Sequence, residues 1–129
     1  SADYDAVNKT LSVMTRLIRL LVFYELGHFD LLENNIRSTQ RYIAKQASQY
    51  QIDQLLLKFI RKIASSTDKQ ERLGNLKQTR MELIKLSKDK AESRTLYFFD
   101  FISWIESKLE QKPFTEIVKQ KNAERLKGL

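Results

Sequence analysis

The sequence predicts an all-α fold, and three observations carry that expectation. Apolar residues recur at three- and four-residue spacing along nearly the whole chain. One proline, Pro113, and three glycines, Gly27, Gly74 and Gly128, leave too little turn chemistry for a many-stranded sheet. Hydrophobic residues at 42% and charged residues at 30% supply both a packed interior and a wet surface, unlike a charge-dominated disordered segment. At 129 residues the chain has the size of one domain, so residues 1–129 are expected to form a single helical domain. Because the chain begins with Ser1 and not Met, it is expected to be a piece of a longer one.

The first helix is expected over about residues 3–26. Val7, Leu11, Met14, Ile18, Leu21 and Leu26 form its apolar stripe, and Asn8, Ser12, Thr15, Arg16 and Arg19 lie opposite. Toward its end Leu17, Leu20, Val22, Phe23 and Tyr24 widen the stripe, so that half should be sandwiched between other helices. Gly27 supplies the left-handed residue that ends a helix.

A second helix over about 30–47 buries Phe29, Leu32, Ile36 and Ile43 and shows Glu33, Arg37, Arg41 and Lys45 at four-residue spacing on another face. Glu33 precedes Arg37 by four, the favourable order for a helical ion pair. A third over about 50–64 buries Ile52, Leu55, Leu56, Phe59, Ile60 and Ile63. Ser65, Ser66, Thr67 and Asp68 then break the pattern, and both Thr67 with Gln70 and Asp68 with Glu71 fit a capping box opening the next helix.

That fourth helix, about 69–87, is the most polar, with Leu73, Leu76, Leu83, Ile84 and Leu86 on a thin apolar side that suits an outer position. A fifth over about 91–111 is apolar around almost its full circumference from Leu96 to Leu109, interrupted by Asp100 and Ser103, and needs cover on several sides. Pro113 introduces a short last helix around 115–121, after which the basic tail should fray.

About six helices with short links imply three antiparallel hairpins. The pattern Phe59, Ile60, Ile63 recurs as Phe101, Ile102, Ile105, an offset that would give the third and fifth helices equivalent roles, as in an α-solenoid. A compact helical bundle is the alternative.

The run Tyr24, Glu25, Leu26, Gly27, His28, Phe29, Asp30, Leu31, Leu32, followed by Ile36 and Thr39, resembles the turn and second helix of a tetratricopeptide (TPR) repeat. In that family a glycine ends the first helix, an aromatic residue two positions later packs into the hairpin, and a small residue stands where this chain has Leu32. Leu32 departs from the pattern and should hold the helices farther apart, and Arg16 and Leu20 stand where the first helix usually has an aromatic residue and a glycine. The resemblance covers about residues 20–47. It implies a degenerate, TPR-like helical-repeat protein, the C-terminal part of a bacterial member, whose work is scaffolding and protein or peptide binding without chemistry of its own.

The residues themselves offer little to an enzyme. With no cysteine, disulfides and thiolate metal sites are excluded. His28 is the single histidine and sits in a turn, a poor metal site and an isolated base. Glu25, Asp30 and Glu33 lie near it in sequence, but acidic residues at a helix start answer the helix dipole. No glycine-rich phosphate loop, nucleophile elbow or metal motif is present. The expectation is a non-enzyme with no cofactor. The longest apolar run, residues 20–24, is far below the roughly 20 residues that cross a bilayer, so no membrane span is expected, and the location is expected to be cytoplasmic.

Charge points to a surface. The net charge of +7 is concentrated in residues 36–90, where thirteen basic side chains face five acidic ones. Arg37, Arg41 and Lys45, joined by Lys58, Arg61 and Lys62 on the next helix, form the candidate partner-binding face, suited to an acidic peptide or to a phosphate backbone. A solvated helix surface without a partner looks the same. The third and fourth helices, with Gln70, Arg72, Asn75, Lys77, Gln78 and Arg80 on the second of them, also permit a helix-turn-helix reading and hence nucleic acid as the alternative partner, although the link lacks a glycine turn. The aromatic run from Tyr97 to Trp104 fits core packing or, as the alternative, an interface with further repeats or a partner chain, with Tyr97 and Trp104 as its candidates and Trp104 as the anchor.

Overall fold

A computed structural model describes residues 2–46 and 50–129. These form seven helices and no strand: α1 (Ala2–Leu26), α2 (Phe29–Lys45), α3 (Gln51–Ser65), α4 (Lys69–Leu86), α5 (Arg94–Phe98), α6 (Phe101–Glu110) and α7 (Phe114–Lys127). The all-α class expected from periodicity is therefore what the chain adopts. The expected end of the second helix at Ala47 lies outside the described residues. Among the described residues no helix is long and apolar enough to cross a membrane.

Local chemistry places most of the boundaries. At the end of α1, Gly27 takes φ +72°, the His28 amide donates to the Phe23 carbonyl at 3.0 Å and the Gly27 amide to the Tyr24 carbonyl at 3.1 Å. This Schellman pair satisfies carbonyls that a helix end would otherwise leave open. Asp68 opens α4 as its N-cap by accepting the Gln70 amide at 3.1 Å, a single capping bond and not the reciprocal pair of a capping box.

The fifth helix is not continuous. Residues 87–93 turn, α5 is five residues long, and Phe99 is extended at φ −153°, ψ 136°. Asp100, which had seemed a mere interruption in an apolar run, accepts the Ser103 amide at 2.9 Å and caps a new helix. An aspartate whose side chain competes for nearby amides favours a helix start over a helix interior. The last helix corrects the expectation in the other direction, running to Lys127, with Lys121 tied to α6.

The sequential helix pairs α1–α2, α3–α4 and α6–α7 each pack together, and polar contacts tie helices to one another around the core. Arg16 of α1 stacks on the Tyr42 ring of α2 at 3.5 Å, Arg80 of α4 meets Glu106 of α6 at 2.7 Å, and Lys121 of α7 donates to Ser103 of α6 at 2.8 Å. α3 packs between α2 and α4 and also touches α1, while α4, expected on the outside, packs against both α3 and α6. Leu17, Leu20, Leu32, Ile52, Leu56, Ile60 and Ile105 are completely or almost completely buried in one continuous cluster. Of the repeated pattern, Phe59, Ile60, Ile63, Phe101 and Ile105 are buried, and Ile102 is half-buried.

Several positions in the predicted stripes are not covered. Val7, Leu11 and Leu26 on α1 are exposed, and the buried line there runs through Val13, Met14, Leu17, Leu20 and Leu21. Phe29, expected in the core, is 54% exposed, and Tyr97 on α5 is 84% exposed. Val7 and Thr10 of α1 share a groove with Arg94, Tyr97 and Phe98 of α5, a helix of five residues that leaves Val7 and Leu11 exposed.

Candidate functional site

The six basic residues singled out in the sequence all lie exposed on α2 and α3, which run side by side. The structure brings two of them, Arg37 and Arg61, to one groove. Its floor is Phe29, Ile36 and Ala64, its rim includes Glu33 and Ser65, and its volume is about 390 Å³. That is near the lower end of the roughly 300–1,000 Å³ typical of ligand pockets, enough for a side chain or two of a partner. Arg41 and Lys45 continue the Arg37 line along α2 at four-residue spacing. Lys62 is about 100° round the helix from Arg61 and does not line the groove.

Both groove arginines have side-chain partners on α2. Arg37 Nη1 lies 3.2 Å from Glu33 Oε1, the ion pair that the four-residue spacing implied, and Nη2 donates to Asn34 Oδ1 at 2.5 Å. Arg61 Nη2 donates to Gln40 Oε1 at 2.5 Å, tying α3 to α2. Arg41, Lys45, Lys58 and Lys62 have no ion-pair partner among the described residues. The basic signal was legible in the sequence. The apolar floor was missed, because Phe29 read as a core position and Ala64 carried no signal.

The other candidates separate. Trp104 is buried, with its ring edge-on to Tyr24 at 6.0 Å and to Phe59 at 6.2 Å, so it serves the core. Tyr97 borders a second groove of about 320 Å³, lined by Val7, Thr10, Arg94 and Phe98. On α4, Arg80 is engaged by Glu106, and Arg72 Nη1 donates to the Ser66 carbonyl at 3.2 Å, so two cations of the helix-turn-helix reading are spent on the fold itself.

Acidic side chains inside the molecule brace its helices. Glu92 is 7% exposed and accepts the Gln51 amide at 2.7 Å and the Ile52 amide at 2.9 Å, covering the start of α3 from a turn some forty residues downstream. Glu106 Oε2 accepts from Arg80 Nε, while Oε1 receives no aligned hydrogen bond and faces Lys121 Nζ as an ion pair at 2.5 Å. His28 is exposed in its turn, and among the described residues no group of three His, Cys, Asp or Glu side chains is placed to hold a metal ion.

Compared with protein-family models, with curated proteins and with solved structures, the chain matches none of them.

Proposed function

We propose that this chain is a protein-interaction module of the helical-scaffold kind and that the groove between α2 and α3 holds a segment of another protein. One observation carries the reading: a half-exposed aromatic ring, Phe29, forms the floor of a groove whose rim is arginine. Apolar contact area bordered by arginine is the composition of side chains that anchor protein interfaces. The hairpin pairing and the TPR-like turn after α1 support the scaffold reading, which gives the chain no reaction to catalyse.

A second reading, nucleic-acid binding, is favoured by the unpaired cations of α2 and α3 and disfavoured by the internal engagement of Arg72 and Arg80. Selection of a displayed random peptide library on the immobilised chain separates the two. The expected result is enrichment of peptides that bind the wild type and lose binding to a Phe29→Ala, Arg61→Glu variant, with weak binding of labelled duplex DNA or single-stranded RNA. Failure to enrich any groove-dependent peptide, together with nucleic-acid binding that falls steeply with salt, would replace the first reading by the second.

A further inference from the structure

We infer that the occupant of the α2–α3 groove is an acidic segment carrying one apolar anchor, and that Glu33 is a built-in competitor for its carboxylates. The inference rests on the interaction-module reading and goes beyond it by fixing the chemistry of the partner.

Basic residues outnumber acidic ones on the two helices by six to three, and the acidic ones lie in their first turns or at Glu33. From residue 34 to 45 and from residue 54 to 66 the chain has six basic side chains and no acidic one. Packing α2 against α3 puts these stretches side by side, so their fields add over the groove and favour an anionic partner. The groove arginines also have donors to spare. A guanidinium carries five N–H donors in a planar fork, and Arg61 uses one on Gln40, leaving a geometry suited to a carboxylate.

Among the described residues, the one acidic side chain lining the groove is Glu33, and it already occupies Arg37. Both members of that pair are more than half exposed, 55% for Arg37 and 73% for Glu33, so water competes for the contact and the pair is weak. A carboxylate from a partner can take the place of Glu33 on Arg37, and Glu33 is then left to solvent. Beneath the arginines, the exposed part of Phe29 and the buried Ile36 offer apolar surface to an anchoring side chain. A phosphate backbone would satisfy the cations and leave that surface wet, which favours an acidic protein segment over nucleic acid.

The test uses a fluorescein-labelled peptide with glutamates flanking a central leucine, read by fluorescence anisotropy at low salt. Two counterparts have glutamine for glutamate or alanine for leucine, and labelled duplex DNA is the competitor. The acidic anchored peptide should bind tightest. Arg37→Ala, Arg61→Ala and Phe29→Ala, all at exposed positions and checked for retained helicity by circular dichroism, should each weaken it roughly tenfold. Glu33→Gln should strengthen it by roughly twofold to fivefold, an effect that a general loss of fold cannot mimic.

Equal binding of the glutamine counterpart, or a Glu33→Gln variant that binds no better, overturns the inference. So does displacement of the peptide by duplex DNA with the same dependence on Arg37 and Arg61. If library-selected peptides still need the groove while the glutamate peptide shows no preference, the interaction module stands and the acidic partner falls. If no peptide of any charge binds, both fall.

Discussion

Trp104 donates its indole N–H to the Glu25 carboxylate at 3.0 Å, joining α6 to the last turn of α1 across 79 positions of sequence. Lys108 reaches the same carboxylate, 2.5 Å from Oε1 and 2.7 Å from Oε2, so one acidic side chain gathers two residues of α6. With Tyr24 and Phe59 edge-on to the indole, this is where α1, α3 and α6 meet. Trp104→Ala is expected to lower stability by about 3–5 kcal/mol, and Trp104→Phe, which keeps a ring and loses the donor, by about 1–2 kcal/mol. Urea denaturation followed by circular dichroism measures both. A Trp104→Phe variant as stable as the wild type would show that the indole N–H contributes little.

Glu92 is expected to act as a cap delivered from a distance. Glu92→Ala leaves the Gln51 and Ile52 amides without their acceptor, and a cost of about 1–2 kcal/mol is expected. Hydrogen exchange should quicken first at those two amides. Protection there unchanged from the wild type would contradict the role.

Glu106 is a buried carboxylate between two cations, and Glu106→Ala strands Arg80 and Lys121 at a half-open site. The expected loss is about 1–3 kcal/mol, and it should change little between low and high salt because the acid itself is shielded from solvent. A loss that disappears in high salt would mean that the cluster behaves as an ordinary surface ion pair.

Thr10 is 5% exposed, and its hydroxyl has no hydrogen-bond partner among the described residues. Replacing an unsatisfied buried hydroxyl by a methyl group of the same shape removes a desolvation cost, so Thr10→Val should leave stability unchanged or raise it by up to about 1 kcal/mol. A rise in urea midpoint at constant slope is the expected signature. A clear fall would mean that the hydroxyl has a partner in solution.

Burial of the Tyr24 ring pushes its phenol above the ordinary value of 10.0, with Arg72 opposing and Glu25 adding to the shift. The folded state therefore keeps this proton more firmly than the unfolded chain does. The resulting stabilisation is fully present below pH 10.0 and is lost as pH rises from there through the folded-state value. Tyr24→Phe should decline less steeply over that alkaline range than the wild type, as read from urea midpoints. Parallel declines would remove Tyr24 as a contributor.

What could be read from the residues was local. The existence of each main helix, the glycine stop after α1, the Asp68 cap and the Glu33–Arg37 pair depend on neighbours within a turn or two, and the order of side chains along the chain specifies these directly. The Asp100 break was equally local but was masked by the apolar residues on either side, which made one long helix look natural.

Coverage is a different kind of quantity, because it depends on which distant segment arrives and how long that segment is. Val7 and Leu11 lie on a helical stripe as regular as that of Met14, yet they stay exposed, Val7 beside the short α5. Phe29 is left half-open for a similar reason, at the edge where α2 and α3 meet, and it is this exposure that turns a basic helix face into a groove with an apolar floor. The sequence by itself determined the helices and the sign of their charge. The tertiary structure decided which apolar side chains were left uncovered beside that charge, since burial is settled by neighbours remote in sequence and not by the period of the pattern.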